Sequence, residues 1–244
     1  MDAHDGTSSW RPLYIAGGVA ALLAALLFRR NIGAEVSLFT GFEVIPQSVA
    51  GWYALLQERP LIDLSFLSLF DLANAALVGV VFLALGAMLW RGGRSAVACA
   101  LAAGLVGIAV ALATNISLTM LSLSRQYGLA ATEAQRAGLL AAGQAIIAAN
   151  DPLAEFPSSG MYMSVLLLAV AVLLFAATLL RARTFGRAAP VAGLLAGGCD
   201  LLYCLTIAFA PSLRIALLAA GGLFWMIWHL LVGIRLLRLS KGIT

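Results

Sequence analysis

Long runs of apolar residues alternate along this chain with shorter polar connections. A helix that spans a membrane needs about 20 apolar residues, because each residue adds about 1.5 Å along the axis. The pattern therefore predicts an all-α integral membrane fold, a bundle of about six transmembrane helices in one domain between short tails, 1–12 and 239–244. We expect the helices at residues 13–28, 62–90, 96–124, 160–180, 189–210 and 213–236.

The two longest connections each contain a helical pattern that is too polar or too short to span. The first, at about 47–58, carries aromatic residues such as Trp52, which favour the headgroup level of a membrane. The second, at about 132–149, begins with Thr132 and Gln135 in the spacing of a capping box. We expect both segments to be interfacial helices that cover the outer mouth of the bundle.

Composition agrees with a membrane protein. The chain is 62% hydrophobic and 11% charged, with a mean hydropathy of +1.00, whereas soluble domains carry about 25% charged residues. The net charge of +4 does not indicate nucleic-acid binding, because the basic residues are scattered at the ends of apolar runs. The bilayer is the expected partner.

Basic residues divide unequally between the two sides of the predicted bundle. An even number of spans places both termini on one side, and basic connections favour the cytoplasm. The other side has six basic residues, so we expect cytoplasmic termini. The side of the termini has nine, namely Arg11, Arg91, Arg94, Arg181, Arg183, Arg187, Arg235, Arg238 and Lys241.

Small residues recur at the spacing of helix-packing faces, as in Gly17 with Ala21 and Ala25, and in Gly193 with Gly197. Such positions let helix backbones approach closely in lipid. Packing within the bundle is favoured over a dimer face, because six helices have many internal seams to fill. The oligomeric state stays open.

Polar residues at the outer ends of two predicted helices form a first candidate site. Asp71 and Asn74 share a face of the second helix, and Asn115 and Thr119 share a face of the third. A hairpin turn just after Gly92 sets these two pairs at the same height. They predict one polar patch, which either binds a ligand or clasps the two helices together.

Asp200 is the second candidate, about 16 Å above the inner edge of its predicted helix. A charge near the middle of a bilayer is costly, and no basic residue lies at this depth. We expect the carboxyl group to be protonated or in contact with water, with Tyr203 one helical turn further out. Functional and structural roles remain equally open.

His229 lies in an aromatic stretch, with Trp225 four residues earlier on the same helical face. Haem ligation by two histidines is not expected, because the other histidine, His4, lies in the polar tail. We expect an interfacial aromatic belt with one hydrogen-bonded histidine. The cysteines show no metal-binding spacing, so no cofactor is predicted.

The chain resembles a bacterial family of uncharacterised membrane proteins known as domain of unknown function four-three-eight-six. The resemblance rests on segments 70–74 (FDLAN), 121–127 (LSLSRQY), 131–137 (ATEAQRA), 141–145 (AAGQA) and 233–237 (GIRLL). It implies several helices in a bacterial inner membrane and brings no established activity or catalytic residues.

Two functions lead: a binding protein with an outward-facing polar cavity for a small molecule or lipid, and a structural or accessory subunit without a ligand. An intramembrane hydrolase comes third, because Asp71 and Asp200 differ in predicted height by about 12 Å and lack the Gly-x-Gly-Asp sequence of aspartyl proteases. The candidate ligand-binding residues are Asp71, Asn74, Asn115, Thr119, Asp200, Tyr203, Trp225 and His229.

Overall fold

The computed structural model describes residues 5–40, 46, 48–58, 67, 69–150, 158–182, 185–206 and 209–242, with side chains at 5–9, 28–40 and 211 left out. This part of the chain holds nine α-helices, a 3-10 turn at Pro211–Leu213 and no strand. The helices are α1 Asp5–Thr40, α2 Val49–Glu58, α3 Leu69–Leu89, α4 Arg94–Thr114, α5 Ser117–Leu129, α6 Glu133–Ala149, α7 Ser159–Ala182, α8 Ala188–Thr206 and α9 Arg214–Ser240.

Six segments are long and apolar enough to cross a membrane, as the apolar runs predict: α1, α3, α4 continued by α5, α7, α8 and α9. The long helices pack in chain order, α1 on α3, α3 on α4, α4 on α7, α7 on α8 and α8 on α9. Helix α9 packs back on α1, so the six helices form a closed ring. The predicted all-α bundle is confirmed.

Aromatic side chains fill the centre of this ring. Phe82 of α3 lies 5.1 Å from Phe175 of α7 and 6.3 Å from Trp228 of α9, measured between ring centroids. All three side chains are fully buried. Because helices on three sides of the ring meet at these side chains, the bundle is packed solid at this level.

The outer surface of the ring is apolar as well. Each of the six long helices exposes more than a third of at least one large aliphatic side chain. Soluble proteins rarely expose contiguous apolar surface on this scale. Examples, one for each helix, are Leu23, Leu83, Leu105, Val170, Leu195 and Leu230.

Small residues hold neighbouring helices together inside the bundle. A Cβ atom added at Gly17 would lie 2.3 Å from the Ala84 Cβ atom, and one added at Gly197 would lie 2.5 Å from Val172. Gly193 faces the Trp228 indole at a similar distance, 2.8 Å. The predicted role of these glycines in packing within the bundle is confirmed.

Helix ends differ from the apolar runs by up to several turns. Helix α1 begins at Asp5, inside the expected tail, and ends at Thr40, whereas α8 ends at Thr206 and α9 continues to Ser240. Hydropathy marks only the apolar stretch, while a helix continues through polar residues until its backbone hydrogen bonding is interrupted. The expected start of the second span, 62–66, lies outside the described residues.

The expected single helix at 96–124 is wrong, because it is two helices that meet at Asn115. The backbone of Asn115 is extended (φ −67°, ψ 132°), and its side-chain oxygen accepts a hydrogen bond from the backbone N–H of Ser117 at 3.0 Å. Asparagine side chains compete with helical hydrogen bonds in this way. The Ser117 hydroxyl donates to the carbonyl of Leu67, which anchors the break beside the start of α3.

Helices α2, α5 and α6 pack together beyond this break, and we call them the three-helix cap. Tyr53 and Leu56 of α2 are buried against Met120 of α5, and Tyr53 also meets Gly143 of α6. Helix α4 alone, with 21 residues, is about 31 Å long, which is long enough to span a bilayer. Helix α5 therefore lies beyond the bundle, at its end opposite the chain termini.

Both predicted connection helices exist, as α2 and α6. The capping box of α6 is confirmed: the Thr132 hydroxyl accepts from the backbone N–H of Gln135 at 3.2 Å, and the Gln135 side chain accepts from the backbone of Thr132. The helix ends before Asn150, as its sequence predicts. Local sequence therefore specifies both ends of α6.

Candidate functional site

Asp200 and Trp225 form a hydrogen bond between α8 and α9. The indole Nε1 of Trp225 donates to the Oδ2 atom of Asp200 at 2.6 Å. Asp200 lies twelve residues after the start of α8 at Ala188, which is about 18 Å along the helix. The carboxyl group therefore lies near the middle of the bundle, at the depth that the sequence predicts.

The second carboxylate oxygen faces a glycine. A Cβ atom added at Gly221 of α9 would lie 2.8 Å from the Oδ1 atom of Asp200. Asp200 is half-buried, and within the described residues Trp225 is its one hydrogen-bond donor. A glycine at this point lets the backbone of α9 pack directly against the carboxyl group.

His229 continues the same face of α9 one turn further on. Its Nδ1 atom lies 2.9 Å from the carbonyl oxygen of Trp225, and its ring stacks on the Trp225 indole at 5.3 Å. Trp228 meets both rings edge-on, at 5.4 Å from Trp225 and 5.0 Å from His229. The site is thus one carboxyl group at the edge of an aromatic cluster.

The expected interfacial belt is wrong for this stretch, although the hydrogen-bonded histidine is confirmed. Trp228 and His229 have no exposed surface, and Trp225 is 6% exposed. Their helical spacing turns them into the bundle, where Gly193 leaves room for the Trp228 indole. The Nε1 atom of Trp228 is buried with no hydrogen-bond partner among the described residues.

Tyr203 lies in a cluster of its own, further along α8 than Asp200. Its ring is fully buried with Cys204 in a small cluster at the outer end of α8, against Tyr162 and Leu217. One helical turn separates it from Asp200, as its spacing predicts. Tyr203 therefore packs α8 against α7 and α9.

The hairpin register behind the predicted polar patch is confirmed, but the patch itself is divided. Helix α3 and helix α4 turn through residues 90–93, and the Leu67–Ser117 hydrogen bond lies at the height expected from that turn. Asp71 is exposed in the first turn of α3, and Asn74 is buried one turn later. The pairing of Asp71 with Asn115 stays a prediction.

Thr119 lies apart from the other residues of the predicted patch. It lies on α5 beyond the break, and it is exposed on the cap together with Ser122 and Gln126, which bond each other at 3.2 Å. The expectation that Asn115 and Thr119 share one helical face is wrong, because the extended backbone at Asn115 changes the direction of the chain. Asn74 remains inside, with its Oδ1 atom buried and without a partner in the described part.

Sequence reasoning missed a cavity at the opposite end of the bundle. It has a volume of about 430 Å³ and lies between α1, α3 and α4, with Trp10, Trp90 and Arg91 among its lining residues. The available signal was the position of both tryptophans at the ends of apolar runs. It gave no sign that the two would line one cavity, since 80 residues separate them in the sequence.

The described residues include no group of three His, Cys, Asp or Glu side chains placed to hold a metal ion. The cysteines are free thiols: Cys204 is buried, Cys199 is partly buried and Cys99 is exposed on α4. The chemistry that the described site offers is therefore that of a carboxyl group: it accepts hydrogen bonds and it gains or loses a proton.

Comparison with known proteins gave no match: no protein family, no curated protein and no solved structure is similar to this chain at a significant level. The resemblance to the family of uncharacterised bacterial membrane proteins stays a prediction from the segments quoted above. Function is therefore argued from the site alone.

Proposed function

We propose that this chain is an integral protein of a bacterial inner membrane, crossing it six times with both termini in the cytoplasm. The apolar outer surface of the ring supports insertion, because it is the surface that lipid tails solvate. The excess of basic residues at the end of the termini supports the orientation. A reporter that is active only in the periplasm, fused after Thr244, should stay silent; strong activity reverses the orientation.

The cap then lies at the outer surface as an interfacial layer. Helix α6 has an exposed polar face that includes Glu133 and Gln144, which would make insertion into lipid costly. Single cysteines at these two positions, in a chain with Cys99 replaced by serine, should react with an impermeant thiol reagent added outside intact cells. Resistance at both positions contradicts the interfacial location.

The proposed biochemical role is binding of a small molecule or lipid in the membrane, with Asp200 as the group that contacts it. The observation that carries this role is a half-buried carboxyl group near the middle of the bundle: Oδ2 accepts from Trp225 at 2.6 Å, while Oδ1 has no hydrogen-bond donor among the described residues. A hydroxyl or ammonium group of a ligand would find an acceptor there that is already oriented by the indole. In the unbound protein we expect the carboxyl group to be protonated or in contact with water, because a lone charge at this depth is costly.

A structural or accessory role is the second candidate, and the packed centre of the ring favours it. Phe82, Phe175 and Trp228 leave a continuous aromatic core where a central binding cavity would lie. The intramembrane hydrolase gains no support, because Asp71 on α3 and Asp200 on α8 lie on helices that are not neighbours in the ring.

Comparison of Asp200→Asn with Asp71→Asn separates these roles. Asparagine keeps the shape of the side chain and an oxygen that accepts from Trp225, so both variants should fold and elute like the wild type. Native mass spectrometry of detergent-purified protein should show a co-purified mass that Asp200→Asn loses and Asp71→Asn keeps. The infrared band of a protonated carboxyl group should disappear in the same variant.

Retention of the bound mass by Asp200→Asn would contradict the binding role at this position. Absence of any bound mass from the wild-type protein, with an unchanged melting temperature in Asp200→Asn, would favour the accessory role. The infrared band decides the protonation state separately from the question of a ligand.

A further inference from the structure

An apolar groove opens on the side of the bundle, at the end that carries the chain termini. Its floor is formed by Leu13 of α1, by Leu83, Gly86 and Ala87 of α3, and by Leu101 of α4. The volume of about 430 Å³ lies within the range of about 300–1,000 Å³ that small-molecule sites occupy. Hydrocarbon is the occupant that such a floor favours, because it offers few polar groups.

The mouth of the groove has a different chemistry. Trp10 and Trp90 line it and are 48% and 43% exposed. They lie at the beginning of the first span and just after the end of α3, the level at which indole rings meet lipid headgroups. The groove therefore runs from the headgroup level into the region of the lipid tails.

Arg91 adds a positive charge at this mouth. Its side chain lines the groove and is exposed, and no carboxylate within the described residues is paired with it. Arg11 of α1 and Arg94 of α4 lie at about the same level as Arg91, so the surroundings of the mouth are basic as well. Guanidinium groups bind phosphate groups with two parallel hydrogen bonds.

We infer that this groove binds an anionic phospholipid, with one acyl chain on the floor between α1, α3 and α4 and the phosphate group at Arg91. A zwitterionic lipid would bring its ammonium group into the same basic surroundings, which disfavours it. Basic pockets between membrane helices recognise anionic headgroups by this combination of charge and apolar surface. The inference does not depend on Asp200, which lies on α8 and α9, away from the groove-forming helices.

The first test compares two arginines of the same turn. Wild-type protein, Arg91→Gln and Arg94→Gln are each presented with equal amounts of phosphatidylglycerol and phosphatidylcholine in mixed micelles, and retained lipid is counted by native mass spectrometry. The wild type should retain phosphatidylglycerol over phosphatidylcholine by about tenfold. Both lipids offer a phosphate group to Arg91, but only the choline ammonium of phosphatidylcholine is repelled by the guanidinium groups around the mouth. Arg91→Gln should lose most of this preference, whereas Arg94→Gln, whose side chain does not line the groove, should lose much less of it.

The second test fills the floor. Ala87→Phe places a ring where the acyl chain would lie, so retention of both lipids should fall. Ala109→Phe adds the same ring on the exposed face of α4, outside the groove, and should leave retention unchanged. The pair separates loss of the groove from a general effect of a larger side chain.

Several outcomes would overturn the inference. Equal retention of the two lipids by the wild type would show that headgroup charge does not select the lipid. Equal effects of Arg91→Gln and Arg94→Gln would show that the preference comes from the general surface potential and not from a phosphate site at Arg91. Displacement of the lipid by millimolar glycerol phosphate would show a site for a free anion. Asp200→Asn should keep the lipid preference, so this test and that of the Asp200 site fail independently.

Discussion

The bundle and the cap are held together by different interactions, although both are helical. Within the bundle, glycines let helices approach until side chains of the next helix touch the backbone, as at Gly17 and Gly197. Within the cap, side chains reach main-chain oxygens of a neighbouring helix: Tyr53 donates to Leu139 at 2.8 Å, and Ser124 donates to Tyr53 at 2.9 Å.

The difference follows from what each region can bury. Long helices in lipid gain little from hydrophobic association, so close packing of small residues is the main attraction left to them. The cap helix α2 has only ten residues, and a helix so short buries few side chains. Hydrogen bonds to main-chain oxygens then fix its position, with Gln57 adding another to the Ser124 carbonyl at 2.8 Å.

The Asp200–Trp225 bond departs from this division, since it is a polar contact between two long helices. A hydrogen bond between membrane helices adds about 0.6 kcal/mol on average, less than the close packing around it. Close packing therefore contributes more to the stability of the bundle than this bond does, and the variants below leave the bond unchanged.

The largest expected change in stability comes from Gly197 of α8, and its neighbour Gly198 is the control. Gly197→Val should lower the free energy of unfolding in detergent by about 2–3 kcal/mol, because its side chain would overlap Val172, Leu173 and a main-chain oxygen of α7. Gly198→Val, with no atom within 4 Å of the new Cβ, should be nearly neutral. Thermal unfolding measures both, and equal losses would show that close packing does not hold the bundle.

The matching pair in the cap is Gly143→Ala and Gly138→Ala, both on α6. A methyl group at Gly143 would lie 2.3 Å from the Tyr53 hydroxyl oxygen, whereas Gly138 has open space. We expect Gly143→Ala to destabilise the cap by about 1–2 kcal/mol. Hydrogen exchange should rise in α2 and α6 only, and a rise spread through α7 to α9 would show that the two regions unfold together.

Loss of one cap hydrogen bond should have a smaller effect. Ser124→Ala removes the buried hydroxyl that donates to Tyr53, at a cost of about 1 kcal/mol. Ser122→Ala, on the exposed side of the same helix, is the control and should cost less. The rate of protease cleavage between α2 and α3 reports the opening of the cap. Equal cleavage rates for Ser124→Ala and Ser122→Ala would show that this hydrogen bond does not stabilise the cap.

The smallest effect is expected at the surface ion pair of α6, in which Arg136 lies 2.9 Å from Glu133. Both side chains are exposed, so Arg136→Gln should change cap stability by only about 0.2–0.5 kcal/mol. Hydrogen exchange of α6 at low and high salt checks this value. A loss of cap stability as large as that expected for Ser124→Ala would mean that surface ion pairs also stabilise the cap.

Features that depend on neighbouring residues in the chain were predictable. The capping box of Thr132 and Gln135 is one, because both partners lie within one helical turn. The packing glycines at Gly193 and Gly197 are another, since their spacing alone places them on one face. The break at Asn115 was missed, because asparagine permits a helix as well as interrupting it.

By itself, the sequence determined the all-helical fold class, the number of long apolar helices and the residues worth testing, since hydrophobic length and helical period are local properties. Asp200 and Trp225 were both among those residues, but on separate grounds. Only the tertiary structure joined them, turned His229 into the core and placed Trp10 and Trp90 at one groove. Such contacts depend on how helices rotate and cross in the ring, and that is decided by the packing of all six together.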